Sequence, residues 1–340
     1  MGGNNTSEAM AVWFEAPRVA SLRKEEVPKP GPREITVRSL YSLVSSGTEM
    51  NFYRGETGVS GLLMPTTKGT MPFPISFAYQ TVGVVEEAGA DSGFITGEVV
   101  LARHPHQSRF TVRPEDARTL RVPSGCDPLR AVFGTLFSVA HHTALVAPIR
   151  PGDCVVVSGL GLVGTFTGFL ARKNAGKLIL VDPSAERRRR CKWIGADVVV
   201  SPDDLRDAVQ HASEGRGVDV YIETSGAPAA LQAALTSTGV QGTIAVSAWY
   251  GTRPVTLSLT PEFHLKGPHV ISCQVSLLPG ELASRWSLER RAAVSFDFLS
   301  TIDVDQLISH RIDFKNAPDA YRLIDSGPDK TLGVVLVHSA

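Results

Sequence analysis

Cysteine is scarce in this sequence, and no two cysteines lie close to one another. The chain of 340 residues has four, and none forms a Cys-x-x-Cys pair. Structural zinc knuckles and disulfide frameworks need closely spaced cysteines, so the sequence argues against both. Free thiols suit a reducing compartment, and we therefore expect a cytoplasmic protein.

Excess charge and long apolar runs are lacking as well. Lys plus Arg and Asp plus Glu both number 34, so no net charge attracts nucleic acid or an anionic membrane. No run approaches the roughly 18 apolar residues of a membrane span, and the polar start MGGNNTSEAM has no signal-peptide core. We expect a small-molecule substrate and neither a nucleic-acid nor a membrane partner.

Two patterns of secondary structure divide the chain. Residues 10 to 125 are rich in short β-branched segments bounded by turn residues, as in small β barrels and sandwiches. After residue 150, strands and helices alternate, which indicates a doubly wound parallel sheet. The C-terminal part resembles the first pattern more than the second. We predict an α/β protein with a β domain (1–136 and 277–340) and an inserted dinucleotide-binding domain (137–276).

The segment VVVSGLGLVG, residues 155–164, places a GxGxxG motif between an apolar strand and a helix. Such motifs use the first glycine for a tight turn, the second for close approach of a pyrophosphate and the third for helix packing. The pyrophosphate then lies at the helix N-terminus. The alternative is a glycine turn that binds no nucleotide. The predicted cofactor residues of this segment are Gly159, Gly161, Leu162, Val163 and Gly164.

Asp182 ends the next strand, at the position where a carboxylate accepts hydrogen bonds from an adenosine ribose. A carboxylate there repels a 2′-phosphate, so it favours NAD. The run of arginines that starts at Arg187 keeps NADP open, because one of them has the charge to hold a 2′-phosphate. Most of this run fits a solvated helix face equally well.

Two further strand ends supply candidate residues, because open parallel sheets bind ligands at the carboxyl ends of their strands. The segment ETSG contributes Thr224 and Ser225 to the cofactor side. The segment SAWYG contributes Ala248 and Trp249 as cofactor contacts, and Trp249 and Tyr250 as walls for substrate. Packing of the aromatic rings in a core is the alternative for this second group.

The order of these parts resembles the medium-chain dehydrogenase/reductase superfamily of zinc alcohol dehydrogenases and quinone reductases. The resemblance implies a GroES-like β domain, a Rossmann domain and NAD(P)-dependent oxidoreductase activity. It also implies a homodimer formed through the Rossmann domain, with the segment 272–276 as a pairing edge strand. In the zinc members the metal is held by a Cys in GxCxTD, a His in GHExxGxV and a later Cys or Glu.

This sequence departs from the zinc pattern at each of those places. In VSSGTE, residues 44–49, Ser46 replaces the Cys, and in AYQTVGVV, residues 78–85, Tyr79 and Gln80 replace the His and the following Glu. The third position falls near Gly134. Because zinc needs thiolate, imidazole or carboxylate ligands, we expect no catalytic zinc.

Within the superfamily, four short segments resemble the bacteriochlorophyllide hydroxyethyl dehydrogenase-like branch. They read SSGTE, AYQTVG, VAHHTAL and SHR in this chain. This likeness implies a metal-free alcohol/ketone dehydrogenase scaffold and does not identify the pigment as the substrate.

A metal-free site needs hydrogen-bond donors and a proton source to stabilise the alkoxide that hydride transfer creates. Tyr79 is the leading candidate, with Thr48 as a relay and Glu49 orienting either group, and Ser46 lies on the substrate side. The alternative for Tyr79 is a core tyrosine bonded to backbone. His104 and His106 are candidates for protonating a substrate oxygen, since histidine titrates near neutrality.

The sequence as a whole predicts a zinc-independent, NAD(H)-dependent oxidoreductase. Its expected reaction interconverts a secondary alcohol and a ketone of a bulky or specialised metabolite, given the long loop predicted over residues 54–74. One alternative is an NAD(P)H-dependent reductase of activated C=C bonds. Another is a cofactor-binding protein without turnover.

Overall fold

A computed structural model describes residues 6–61 and 64–339 of the chain. The chain divides into two compact units, one running to Thr135 and resuming at Phe296, the other spanning Leu136–Ser295. The predicted domain boundaries after residues 136 and 276 stay predictions, and the compact units divide after residues 135 and 295.

The strands of the chain follow one another in this order: β1 (Thr6–Ala16), β2 (Val19–Pro28), β3 (Ile35–Val44), β4 (Lys68–Gly69), β5 (Ile75–Ser76), β6 (Thr81–Ala88), β7 (Val99–Ala102), β8 (Arg109–Val112), β9 (Leu120–Arg121), β10 (Cys154–Ser158), β11 (Lys177–Val181), β12 (Val198–Val200), β13 (Val218–Glu223), β14 (Thr238–Val246), β15 (His269–Ser272), β16 (Ile308–Asp313) and β17 (Gly333–Val337).

The α-helices are α1 (Thr48–Arg54), α2 (Pro128–Ala131), α3 (Gly134–Val146), α4 (Leu162–Ala171), α5 (Ala185–Arg190), α6 (Leu205–Ala212), α7 (Pro228–Ser237), α8 (Glu262–Lys266), α9 (Gly280–Ala283), α10 (Leu288–Ser300) and α11 (Ala317–Ser326). Short 3₁₀ helices cover Lys192–Ile194, Pro202–Asp204, Val304–Leu307, Phe314–Asn316 and Pro328–Lys330. No helix within the described residues is long and apolar enough to cross a membrane.

The first unit is built mostly on antiparallel strands, with β16 and β17 as a parallel pair. One sheet has the order β16-β17-β3-β6-β7-β9, with β8 also paired to β3, and another has the order β2-β1-β5-β4. Because β17 pairs with β3, the C-terminal segment completes the sheet begun near the N-terminus. The core between these strands is apolar and includes Ile35, Val37, Val85, Val100 and Phe110.

Strand β6 packs closely on β3, and the residue before it is hydrogen-bonded to β3 as well. A Cβ at Gly83 would lie 2.4 Å from the carbonyl oxygen of Arg38, so this close approach to β3 needs glycine. Just before the strand, Gln80 is fully buried, and its Nε2 donates to the carbonyl oxygen of Leu43 at 3.1 Å. Gln80 therefore ties the start of β6 to β3, and Tyr79 beside it is half-buried.

The second unit has a parallel sheet in the order β12-β11-β10-β13-β14-β15. Every neighbouring pair in it is parallel. This is the strand order of the dinucleotide-binding fold, with β10 at the point where the order reverses. The continuous apolar run Val155–Val157 of β10 is completely buried, as expected for a strand covered on both faces.

Some local expectations differ from the structure. Residues 48–54 form helix α1. Residues 280–300 contain two separate helices, α9 and α10. The strand predicted over 272–276 is wrong in its bounds, because the edge strand β15 ends at Ser272. In the predicted loop 54–74, the described residues 55–61 and 64–74 are mostly irregular, with β4 among them.

Candidate active-site residues and cofactor turn

The glycine motif forms a tight turn between β10 and α4. Gly159 has a φ of +92°, and a Cβ there would lie 2.7 Å from the backbone nitrogen of Ser225. A Cβ at Gly164 would lie 1.7 Å from the carbonyl oxygen of Gly159. Both positions therefore exclude any larger residue. Leu162 and Val163 start helix α4, the first buried and the second half-buried.

Gly161 has a different environment from the other two glycines. Beyond its chain neighbours, no atom of the described residues lies within 4 Å of a Cβ built on it. Gly161 is also the N-cap of α4 and brings no side chain to the first turn of that helix. The space in front of the helix N-terminus is thus open, as a pyrophosphate site requires.

Asp182 is buried at the end of β11, where its carboxylate organises the turn. Its Oδ2 accepts from the backbone N–H of Leu160 at 2.7 Å and its Oδ1 from that of Ser184 at 2.8 Å. The guanidinium of Arg187 approaches the same carboxylate, with Nη1 3.8 Å from Oδ2. Asp182 therefore joins the glycine turn, the start of α5 and one arginine.

The other arginines of α5 have separate partners. Arg188 donates from Nη1 to the carbonyl oxygens of Asp182 at 2.6 Å and Pro183 at 2.9 Å. Arg189 and Arg190 pair with Glu186 within the same helix. Of this run, Arg187 is the residue beside the carboxylate that was expected to bind ribose.

Thr224 and Ser225 hold the other side of the turn. The hydroxyl of Thr224 donates to the carbonyl oxygens of Ser158 at 2.9 Å and Gly159 at 2.7 Å. Ser225 donates its backbone N–H to Oε1 of Glu223 at 2.7 Å. Both residues thus lie beside the glycine turn, where the sequence placed them.

Glu223, which the sequence interpretation passed over, connects this region to Tyr250. The carboxylate is completely buried at the end of β13, and the Tyr250 hydroxyl donates to its Oε2 at 2.7 Å. Burial and this hydrogen bond raise the pKa of Tyr250 above its ordinary value. Ala248, Trp249 and Tyr250 are half-buried, so the predicted wall keeps part of its surface accessible.

Tyr79 lies in a cluster of hydroxyl groups in the first unit. Its phenol donates to Oγ of Ser45 at 2.5 Å, and Thr48 is a second hydrogen-bond partner of the phenol. Burial, followed by the charge of Glu49, raises the pKa of Tyr79 to about 12. Ser46 is half-buried next to this cluster, whereas Ser45 was not among the predicted residues.

Glu49 and His106 are brought together away from solvent. Nε2 of His106 lies 3.0 Å from Oε2 of Glu49, and the Tyr321 hydroxyl donates to the same oxygen at 3.2 Å. Neither Glu49 nor His106 has more than 1% of its surface exposed. The structure therefore places His106 against Glu49, with almost no surface of its own for a substrate.

His104 is buried in a different contact. Its ring stacks on Phe110 with 3.8 Å between centroids, and its Nδ1 lies 2.9 Å from the carbonyl oxygen of Pro105. Burial, followed by the charge of Lys68, lowers the pKa of His104 to about 3. A histidine that stays neutral at physiological pH is a poor proton donor, so this surrounding favours a structural role.

Comparison with known proteins shows which proteins this chain is similar to. A family model described as zinc-binding dehydrogenase matches residues 163–288. D-guloside 3-dehydrogenase of Escherichia coli K12 is 26% identical, covering 93% of this chain and 96% of that protein. A 2-desacetyl-2-hydroxyethyl bacteriochlorophyllide A dehydrogenase from Cereibacter sphaeroides is also 26% identical, with 94% and 95% covered.

Over nearly its whole length the chain is similar to dehydrogenases of the medium-chain dehydrogenase/reductase family. Solved structures share its fold, which confirms the predicted combination of a GroES-like β domain and a Rossmann domain. An alcohol dehydrogenase from E. coli CFT073 complexed with NADH has a TM-score of 0.77 at 18% identity, with 97% and 99% of the two chains covered. A Sinorhizobium meliloti protein bound to NADP has the same TM-score at 21% identity, with the same coverage.

The residues of this chain do not fit the catalytic zinc that the name of the matching family model implies. Ser46, Tyr79 and Gly134 occupy the expected ligand positions, and none offers a thiolate, imidazole or carboxylate. A Cβ at Gly134 would lie 2.8 Å from Cδ2 of Leu101, so a larger residue there needs the Leu101 side chain to shift. Within the described ranges, His, Cys, Asp and Glu form no group of three placed to hold a metal.

The glycine turn gives a matched pair of substitutions. We expect Gly161→Ala to leave the thermal unfolding temperature unchanged and to weaken NADH and NADPH binding at least tenfold, because the new methyl group enters the open space. Gly164→Ala should instead lower the free energy of unfolding by about 1–3 kcal/mol through overpacking. Fluorescence titration and thermal denaturation measure the two effects, and undiminished affinity in Gly161→Ala would mean that no pyrophosphate lies there.

Proposed function

We propose that this protein is a nicotinamide-dependent oxidoreductase that interconverts a secondary alcohol and a ketone without zinc. The observation that carries the proposal is the Tyr79 phenol, hydrogen-bonded to Ser45 and Thr48 at the place where zinc relatives have a metal ligand. The two relatives named above support the alcohol/ketone chemistry, since by their names one is a 3-dehydrogenase of a D-guloside and the other a dehydrogenase of a hydroxyethyl bacteriochlorophyllide.

The proposed role of Tyr79 is to donate a proton. A bound nicotinamide supplies the hydride that reaches the carbonyl carbon. The phenol of Tyr79 gives its proton to the carbonyl oxygen, which would otherwise carry the negative charge. Thr48 and Ser45 stabilise the resulting phenolate by hydrogen bonds, and a proton taken up from solvent restores the phenol after turnover. Because its pKa of about 12 keeps Tyr79 protonated near neutrality, the arrangement favours assistance to ketone reduction.

We infer that NAD is the preferred cofactor, because the carboxylate of Asp182 ends β11 where an adenosine ribose is expected. Arg187 weakens this preference. Its guanidinium lies 3.8 Å from the same carboxylate, and its positive charge offsets the repulsion between that carboxylate and a 2′-phosphate. Fluorescence titration of the unmodified chain with NADH and, separately, with NADPH compares its affinity for the two cofactors. A lower dissociation constant for NADPH would reverse the assignment.

The substrate class is proposed to be a bulky or specialised metabolite. Two relatives that align over almost the whole chain act, by their names, on a sugar derivative and on a pigment precursor, both larger than simple alcohols. The irregular region 54–74 is long enough to shape a substrate pocket. Reduction of an activated C=C bond is the alternative. Rates measured on ketones and on enones of matched structure distinguish the two reactions, because a C=C reductase acts on the enones and not on the saturated ketones.

Removing the proposed proton donor should affect turnover and not cofactor binding. We expect Tyr79→Phe to lower kcat for ketone reduction by about 10²- to 10⁴-fold, the usual contribution of a general acid. NADH affinity should stay unchanged. The matched control is Tyr53→Phe, because the Tyr53 hydroxyl donates to the carbonyl oxygen of Arg18 and belongs to the same unit. A kcat for Tyr79→Phe within twofold of that control would remove Tyr79 from the mechanism.

Zinc independence is tested by metal analysis of the purified protein. We expect far less than one zinc per chain, because Ser46, Tyr79 and Gly134 supply no zinc ligands. Dialysis against a chelator should leave kcat unchanged. One tightly held zinc per chain, with activity lost on its removal, would contradict this part of the proposal.

We further propose that two copies of the chain associate through the second unit. Strand β15 is the edge strand of its sheet. The side chain of Gln241 on β14 holds the start of β15: its Oε1 lies 3.2 Å from Nε2 of His269, and its Nε2 donates to the carbonyl oxygen of Gly267 at 3.1 Å. Around this edge, several large apolar side chains are more than one third exposed. They are Val240, Phe263, Leu265, Val270 and Leu277.

Light scattering tests the proposed dimer. The unmodified chain should have the mass of two copies, and Val270→Asp should have the mass of one, because the new charge would be buried at the sheet edge. Ile95→Asp is the control, since Ile95 is 68% exposed in the first unit. A monomeric unmodified chain, or a dimer that survives Val270→Asp, would exclude this interface.

A further inference from the structure

Three buried side chains from separate parts of the first unit meet at one carboxylate oxygen. Glu49 comes from helix α1, His106 from the segment before β8 and Tyr321 from helix α11. His106 Nε2 lies 3.0 Å from Oε2 of Glu49, and the Tyr321 hydroxyl lies 3.2 Å from it. All three residues are at most 1% exposed, so the cluster does not touch substrate.

The hydrogen-bond partners of Glu49 meet it at one carboxylate oxygen. The Tyr321 hydroxyl donates to Oε2, and burial together with the charge of Glu49 raises the pKa of Tyr321 well above its ordinary value. Nε2 of His106 lies 3.0 Å from the same oxygen. The other oxygen, Oε1, has no hydrogen-bond partner in the part of the chain that the structure describes. The negative charge is therefore only partly compensated, and its field extends to its neighbours.

The nearest functional neighbour of this charge is the proposed proton donor. Thr48, which hydrogen-bonds the Tyr79 phenol, is the residue immediately before Glu49 in α1. Burial disfavours ionisation of Tyr79 most, and the charge of Glu49 acts in the same sense. Three groups act in the opposite sense on Tyr79: the hydroxyls of Ser45 and Thr48 and the positive charge of Arg103.

We propose that Glu49, held by His106 and Tyr321, is a positioning residue that fixes the first turn of α1 beneath Thr48 and keeps the proton on the Tyr79 phenol. This inference deepens the proposed function, on which it rests. His106 and Tyr321 act only through Glu49. The cluster thus gives a role to His106 that differs from the direct proton donation expected from the sequence.

The charge of Glu49 is tested by Glu49→Gln, which keeps the shape of the side chain. We expect Tyr79 to ionise about one pH unit lower in this variant, as removal of a nearby like charge predicts. Ultraviolet absorbance of tyrosinate, taken as the difference between each protein and its Tyr79→Phe counterpart, reports that ionisation without turnover. Circular dichroism at each pH defines the range in which the chain is folded.

The alkaline limb of kcat/KM for ketone reduction should move to lower pH together with the absorbance change. Tyr53→Phe is the control, because Tyr53 lies on the same helix. In this variant the Tyr79 titration and the pH dependence of kcat/KM should both match those of the unmodified chain. An unchanged Tyr79 titration in Glu49→Gln would overturn the proposal, whatever the activity. Because this titration needs no substrate, it still decides the matter if Tyr79→Phe keeps full turnover and the proposed function fails.

A second variant covers the case in which Glu49→Gln does not fold. Tyr321→Phe removes one of the two donors to Glu49 and leaves the charge in place. We expect kcat to fall several-fold with KM unchanged, because Thr48 is held less firmly, and the fall should exceed that in Tyr53→Phe. Equal kcat in Tyr321→Phe and Tyr53→Phe would overturn the positioning role.

Discussion

The parallel register of β10 with its two neighbours is the constraint on which the cofactor turn depends. Ser158 at the end of β10 is opposite Val181 on β11 and Glu223 on β13. Parallel strands end at the same edge of a sheet, so the residues that follow are forced together. The turn at Gly159 therefore meets the carboxylate of Asp182 on one side and the hydroxyl of Thr224 on the other.

Each unit has buried carboxylates near its candidate site residues, and these carboxylates differ in the groups that hydrogen-bond to them. A buried charge is costly unless it is hydrogen-bonded. Asp182 and Glu223 accept backbone N–H groups from their own turns, which fixes them locally. Glu49 instead depends on the side chains of His106 and Tyr321, which are distant in sequence. Its position therefore reflects the assembly of the whole first unit.

A cluster of hydroxyl groups lies in the first unit around the proposed proton donor. The phenol of Tyr79 is hydrogen-bonded to Ser45 and Thr48. At Gly134, a Cβ would lie 2.8 Å from Cδ2 of Leu101, so a larger residue there needs that side chain to shift. Gln80, which replaces the carboxylate of the zinc motif, has become a structural link to β3.

The sequence by itself determined the alternation of strands and helices in the second unit and the glycine turn between β10 and α4, because these depend on local spacing. Close approaches at Gly159 and Gly164 follow from the motif, and Asp182 follows from the length of one strand and helix. Only the tertiary structure decided which side chains meet across long sequence separations. It placed His106, which was expected to protonate a substrate oxygen, against the buried carboxylate of Glu49. It also showed that Ser45 contacts Tyr79 and that Tyr321 contacts Glu49. It also paired Glu223 with Tyr250. Burial and pairing between distant segments are set by the complete packing of a unit, and no local pattern carries that information.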